Sequence, residues 1–134
     1  MNQDEIRAAA EAAYERLGLR DEEGFEHIEK CGVLPVRQTS KGGFEYYLMR
    51  PIAQKPELGA PGFQICKGTR EPVNGSLERL GVTALREGIE EIGLRMGSIA
   101  RMEKWGEVSI TSASSGEEKP LYLYLVHVKN GATF

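Results

Sequence analysis

Histidines, cysteines and long runs of either apolar or basic residues are all scarce in this chain, and each scarcity removes a class of function. Only two histidines occur, His27 and His127, and neither has a neighbour that would make a catalytic pair. His127 alternates with Leu121, Leu123 and Leu125, which fits a packed or edge imidazole. The two cysteines, Cys31 and Cys66, lack the spacing of a metal site and read as buried or half-buried free thiols in a reducing compartment. No apolar run approaches the length of a membrane span. The opening MNQDEIRAAAEAAYERLG carries acidic residues where a secretory signal has a basic region and an apolar stretch, so a cytoplasmic location is expected. A net charge of −3 without a long Lys/Arg run argues against electrostatic capture of duplex nucleic acid. A small charged ligand fits better.

What is present suffices for one core: 134 residues, 40% of them hydrophobic and 28% charged, predict a single globular unit. Within it, residues 1–20 form an N-terminal helical segment and 21–134 the main domain. Ile6, Ala9, Ala10, Ala13 and Leu17 follow helical spacing and Gly18 supplies a stop, which predicts a helix over 4–17. Residues 28–37 and 44–49 read as two antiparallel strands around a polar turn, with Pro35 placing the first near an edge or bulge. Alternation puts Phe44, Tyr46 and Leu48 together on a core side, with Tyr47 on the other. The proline-bearing stretch 51–61 reads as a loop, and a short strand at 62–66 leads into the irregular segment 67–77. A helix over 81–92, mixed strand at 99–110, a polar tip at 111–120 and a strong strand at 121–128 complete an α+β reading with a mixed sheet.

Within the second helix, residues 86–94 read REGIEEIGL. At 100° per residue, Glu87, Glu90 and Glu91 fall within an arc of roughly 100°, opposite Val82, Leu85, Ile89 and Ile92. A solvated acidic face is one reading. Solvated faces, however, interleave signs at i+4, whereas Glu87 has Glu90, Glu91 and Thr83 as neighbours and only Arg95 lies near to offset them. Like charges so spaced cost about 0.2–0.5 kcal/mol per pair. The second reading is that the repulsion serves a bound ion, and oxygen ligands in this number suit Mg²⁺ or Mn²⁺ rather than zinc.

With Glu78 preceding Arg86 at x7 spacing, Arg86-Glu87-x-x-Glu90-Glu91-x-Gly93-Leu94 resembles the second half of the Nudix box, G-x5-E-x7-R-E-U-x-E-E-x-G-U, where U is bulky and aliphatic. The chain departs from the pattern in three places. Pro72 stands where the box glycine is expected, and Gly68 is the nearest equivalent, implying an insertion around 71–74. Gly88 occupies the first U position, and Cys66 replaces the usual proline before Lys67-Gly68.

The resemblance spans residues 28–128 and implies an α/β/α sandwich, with the N-terminal helix added. It also implies a divalent-metal-dependent hydrolase that cleaves a phosphoanhydride in a nucleoside diphosphate linked to another moiety. Glu87, Glu90 and Glu91 would be metal ligands, any of them doubling as base. Arg86 would pair with Glu78 to brace the loop, Lys67 would contact phosphate, and the Gly68 carbonyl would contact metal. Arg50, ending the second strand, is a further phosphate candidate. Some family members draw another glutamate from a later loop, where this chain has Glu117 and Glu118; a charged hairpin tip is the alternative for both. The altered loop keeps a second function open, a weak or inactive Nudix-like domain that binds a nucleotide as a sensor. The alanine-rich face of the first helix would pack within the monomer or between the subunits of a homodimer.

Overall fold

A computed structural model describes residues 1–21, 24–49, 64–111 and 115–129. The chain opens with helix α1, Gln3–Arg16, which is capped where the Asn2 side chain accepts from the Glu5 N–H at 2.8 Å. Gly18, at φ 69°, ends it in the left-handed conformation. Strand β1, Lys30–Gln38, forms a hairpin with β2, Phe44–Tyr46. Strand β3 is Cys66–Thr69, and the short pair β4, Pro72–Val73, and β5, Ser76–Leu77, makes a separate two-stranded hairpin. Helix α2 is Leu80–Ile92, followed by one 3-10 turn at Met96–Ser98 and the long antiparallel strands β6, Ile99–Thr111, and β7, Glu118–Val128.

The main sheet runs β2-β1-β7-β6, with β3 also paired to β1. Pairing is antiparallel except between β1 and β7, which run parallel from Lys30↔Leu121 to Val36↔His127. Alternation sends Cys31, Val33, Tyr122, Tyr124, Val126 and Val128 to one face, where they join Leu80, Val82, Ala84 and Leu85 of α2 and Ala10, Ala13 and Tyr14 of α1 in a single core. The α+β class and mixed sheet are therefore as the sequence predicts, and both described helices stack on the same side, α2 on the sheet and α1 on α2. Covered from two sides, α2 is buried from Leu80 to Gly88. The alanine face of α1 packs within the chain.

Four local expectations are corrected. Pro35 lies in a central strand and is buried, not at an edge. Its carbonyl accepts from the Tyr47 N–H, so its own nitrogen faces the side where β1 changes partner from β3, paired through Val33, to β2, paired from Val36. The missing N–H falls at that changeover and leaves the β7 ladder intact. Phe44 and Tyr46, on the three-residue edge strand β2, are each exposed at 56%, and Leu48, beyond the end of that strand, at 40%. Segment 67–77 is not irregular: it completes β3 and then turns through Asn74, at φ 49°, and Gly75, at φ 82°, a pair of left-handed residues that closes a tight hairpin. Leu80 rather than Gly81 begins α2, its N–H held by Asp21 Oδ2 at 2.8 Å in place of a local cap. The expected loop 51–61, the start of the strand at 62–66 and Arg50 lie outside the described residues.

Candidate active site

Arg86 organises the carboxylates. Its side chain is 1% exposed, and it is the positive partner that the charge pattern of the helix, read as lacking one, had concealed. Nε donates to Glu78 Oε2 at 2.9 Å and Nη2 to Glu78 Oε1 at 2.9 Å and to the Thr69 carbonyl at 2.9 Å. Nη1 donates to Glu87 Oε1 at 2.8 Å and Glu90 Oε2 at 3.2 Å, and lies 3.0 Å from Glu71 Oε1. A single planar fork thus joins α2, the end of β3 and the base of the β4–β5 hairpin, where Glu71 and Glu78 flank the two strands.

Glu78, also 1% exposed, receives the Thr83 hydroxyl at 2.6 Å and Arg7 Nε at 3.2 Å in addition. Burial works to raise its carboxyl, but the hydrogen bonds from Arg86 and Thr83, the Arg86 charge and the bond from Arg7 outweigh it and hold Glu78 below the ordinary value. The reciprocal effect appears on Arg86: burial favours losing its proton, while Glu78, Glu87 and Glu71 hold it firmly charged.

Glu87 behaves in the opposite sense. Burial, followed by a hydrogen bond shared with Glu91, pushes its carboxyl up to about 7; the Arg86 charge and hydrogen bond oppose the rise and the Glu90 charge adds to it. Its side chain lies directly over Gly68, and a Cβ built on Gly68 would fall inside the Glu87 carboxyl group. Glycine at 68 is therefore the condition for Glu87 to reach β3. Lys67 and Gly68 sit within β3, paired to Gly32 and Cys31, rather than beyond the strand end. Gly88 has a packing reason too, since a Cβ there would meet Leu94 Cδ2 at 2.9 Å.

Among the described residues, no group of three or more His, Cys, Asp or Glu side chains is gathered ready to hold a metal ion. Arg86 occupies an oxygen of Glu87 and of Glu90. The donor set nonetheless fits Mg²⁺ or Mn²⁺ in kind. It consists of hard carboxylate oxygens on consecutive turns of one helix, beside a backbone left bare by Gly68. Glu117 and Glu118 are exposed, Glu118 in β7 and Glu117 just before it, with no described bond to the α2 carboxylates. Arg7 and Glu71 were not singled out in the sequence; Arg7 gives no local signal, whereas the Asn74-Gly75 turn could have revealed the hairpin that places Glu71.

Comparison with known proteins agrees with this arrangement at the level of fold. No family model and no curated protein sequence matches the chain. Among solved structures, an Ap4A hydrolase from C. elegans superposes with a TM-score of 0.57 at 19% identity, covering 78% of this chain and 70% of that one. A Listeria monocytogenes structure assigned to the Nudix hydrolases does so with a TM-score of 0.51 at 22% identity over 74% of this chain and 62% of that one, so the chain spans about three fifths of its length. With a mixed sheet backed by the helix that carries Glu87, Glu90 and Glu91, this chain has the Nudix hydrolase fold.

Proposed function

We propose that the protein is a divalent-metal-dependent hydrolase of the Nudix type, cleaving a phosphoanhydride in a nucleoside diphosphate linked to another moiety. The observation that carries this reading is the Gly68–Glu87 contact, which sets the Glu87 carboxyl against the backbone of β3, braced by the buried Arg86–Glu78 pair. Glu87, Glu90 and Glu91 would hold the ion, with the Gly68 carbonyl as a further ligand. The ion would supply neutralisation of phosphate charge and a more acidic water. Any one of these three carboxylates could double as base for the attacking water. Lys67, half-buried in β3, is the described cation proposed for phosphate, alongside Arg50. That an Ap4A hydrolase shares the fold supports a nucleotide-derived substrate. No helix among the described residues is long and apolar enough to cross a membrane, and Cys31 and Cys66 are buried free thiols, which fits the cytoplasm.

The test is a panel of nucleoside triphosphates, ADP-ribose, dinucleoside polyphosphates and nucleotide sugars with Mg²⁺, run on the natural sequence and on Glu90→Gln and Glu91→Gln. Hydrolysis of at least one compound is expected, reduced by orders of magnitude in both variants. Turnover in both variants unchanged from the natural sequence would reject the assignment, and binding with no release of product would point instead to the sensor.

A further inference from the structure

Helix α1 reaches the site through one side chain. Arg7 Nη2 donates to Glu71 Oε2 at 2.7 Å and its Nε to Glu78 Oε2 at 3.2 Å. Arg86 approaches both carboxylates from the other side, with Nη1 3.0 Å from Glu71 Oε1 and Nη2 2.9 Å from Glu78 Oε1. Two guanidinium groups therefore bridge the same two glutamates. The second of these guanidiniums continues to Glu87 and Glu90.

Charge explains why two are needed. Glu71, Glu78, Glu87 and Glu90 all converge on Arg86, and without Arg7 they would share a single guanidinium among the described residues. Arg86 has five donor hydrogens. Loss of Arg7 would strip Glu78, 1% exposed, of one of its charged partners and draw the Arg86 fork toward Glu78 and Glu71, away from the α2 carboxylates. The position of α1 is itself fixed. Arg7 and Tyr14, two helical turns apart on one face, both meet the α2 side: the Tyr14 ring lies so close to Gly81 that a Cβ there would sit 2.9 Å from it, and Arg79 stacks 4.1 Å above that ring.

Resting on the functional reading above, we propose that Arg7 is a positioning residue: from α1 it holds Glu71 and Glu78, so that Arg86 stays on Glu87 and Glu90 and keeps the ion-binding face of α2 set. The N-terminal helix is then a working part of the site, and the inserted hairpin supplies Glu71 as the second carboxylate that the two arginines share.

The experiment titrates the full-length chain with Mn²⁺, following the ion's own paramagnetic resonance signal, and measures kcat and KM separately on the best substrate from the panel. Arg7→Gln should weaken Mn²⁺ binding by roughly 10–100-fold, the range for partners that orient metal ligands. It should lower kcat by a similar factor and leave KM within about twofold, because Arg7 does not meet the substrate. Arg7→Lys, able to reach only one carboxylate, should fall between. Tyr14→Phe, which removes the hydroxyl that donates to Asp21 Oδ1 at 3.2 Å and so loosens the same helix without touching the glutamates, should lower the melting temperature and leave Mn²⁺ affinity unchanged. Arg7→Gln binding Mn²⁺ like the natural sequence would overturn the inference while leaving hydrolysis standing. An unsubstituted chain that binds no Mn²⁺ would remove the functional reading, and this inference with it.

Discussion

Alanine at position 68 would place its Cβ inside the Glu87 carboxyl, and because that carboxyl is the far end of a flexible side chain, the chain can yield by swinging it away. Gly68→Ala is therefore expected to fold but to bind Mn²⁺ at least about tenfold more weakly. Calorimetric titration reads this, and unaltered affinity would show that Glu87 need not lie on β3. The same two carboxyls that differ in surroundings should differ in pH response. Glu78, held below its ordinary value of 4.5, contributes stability that is present above that value and lost as pH falls through its lower folded value. Glu87, raised to about 7, keeps its proton in the folded metal-free chain while the unfolded chain loses it from 4.5 upward, so stability declines between 4.5 and about 7. Urea unfolding across pH without metal should show Glu78→Gln flattening the acid limb and Glu87→Gln flattening the decline toward neutrality. Glu78→Gln should also cost about 1–3 kcal/mol at neutral pH, because Arg86 and Arg7 lose their charged bonds to Glu78 while Arg86 keeps Glu71, Glu87 and Glu90. At this scale helical spacing indicated that Glu87, Glu90 and Glu91 share a side of α2, and the family resemblance indicated the Arg86–Glu78 pair, but the reach of Arg86 to Glu87 and Glu90 was overlooked. The sequence was silent on Arg7, since nothing local to position 7 announces a partner at 78.

Between elements, close approach decides more than propensity. Gly81→Ala gains up to about 1 kcal/mol of helix propensity, yet its Cβ would press on the Tyr14 ring at 2.9 Å, an overpacking that costs about 1–3 kcal/mol. A lower melting temperature is expected, and a rise would mean that α1 gives way without loss. The order of helices and strands was legible because hydrophobic periods of 3.6 and 2 are local properties. Two features were legible in principle and misread. Asn74-Gly75 is a strong hairpin signal that was absorbed into an insertion, and Pro35 was assigned to an edge or bulge because a strand's change of partner cannot be read from one strand. The aromatics of β2 were misread for a related reason: alternation says which side chains share a face, not whether anything covers it.

Over the whole molecule, the parallel seam and the burial it creates were the least legible features. Cys31 and Cys66 lie on neighbouring strands under the helices, and burial pushes both thiols up to about 12. A thiol reagent at mildly alkaline pH should therefore find almost nothing to react with until the chain unfolds. Rapid release of colour from both thiols in the native state would contradict their placement.

The seam between β1 and β7 joins the first strand of the sheet to its last. A ribosome making this chain delivers Lys30 long before Leu121, so the central strand emerges with one hydrogen-bonding edge and its Cys31, Val33 and Val36 side chains waiting for a partner not yet synthesised. Such a nascent edge invites pairing with other chains. The yield of correctly folded protein in a cell should thus respond to translation speed and to holding chaperones more than to the stability of the finished fold.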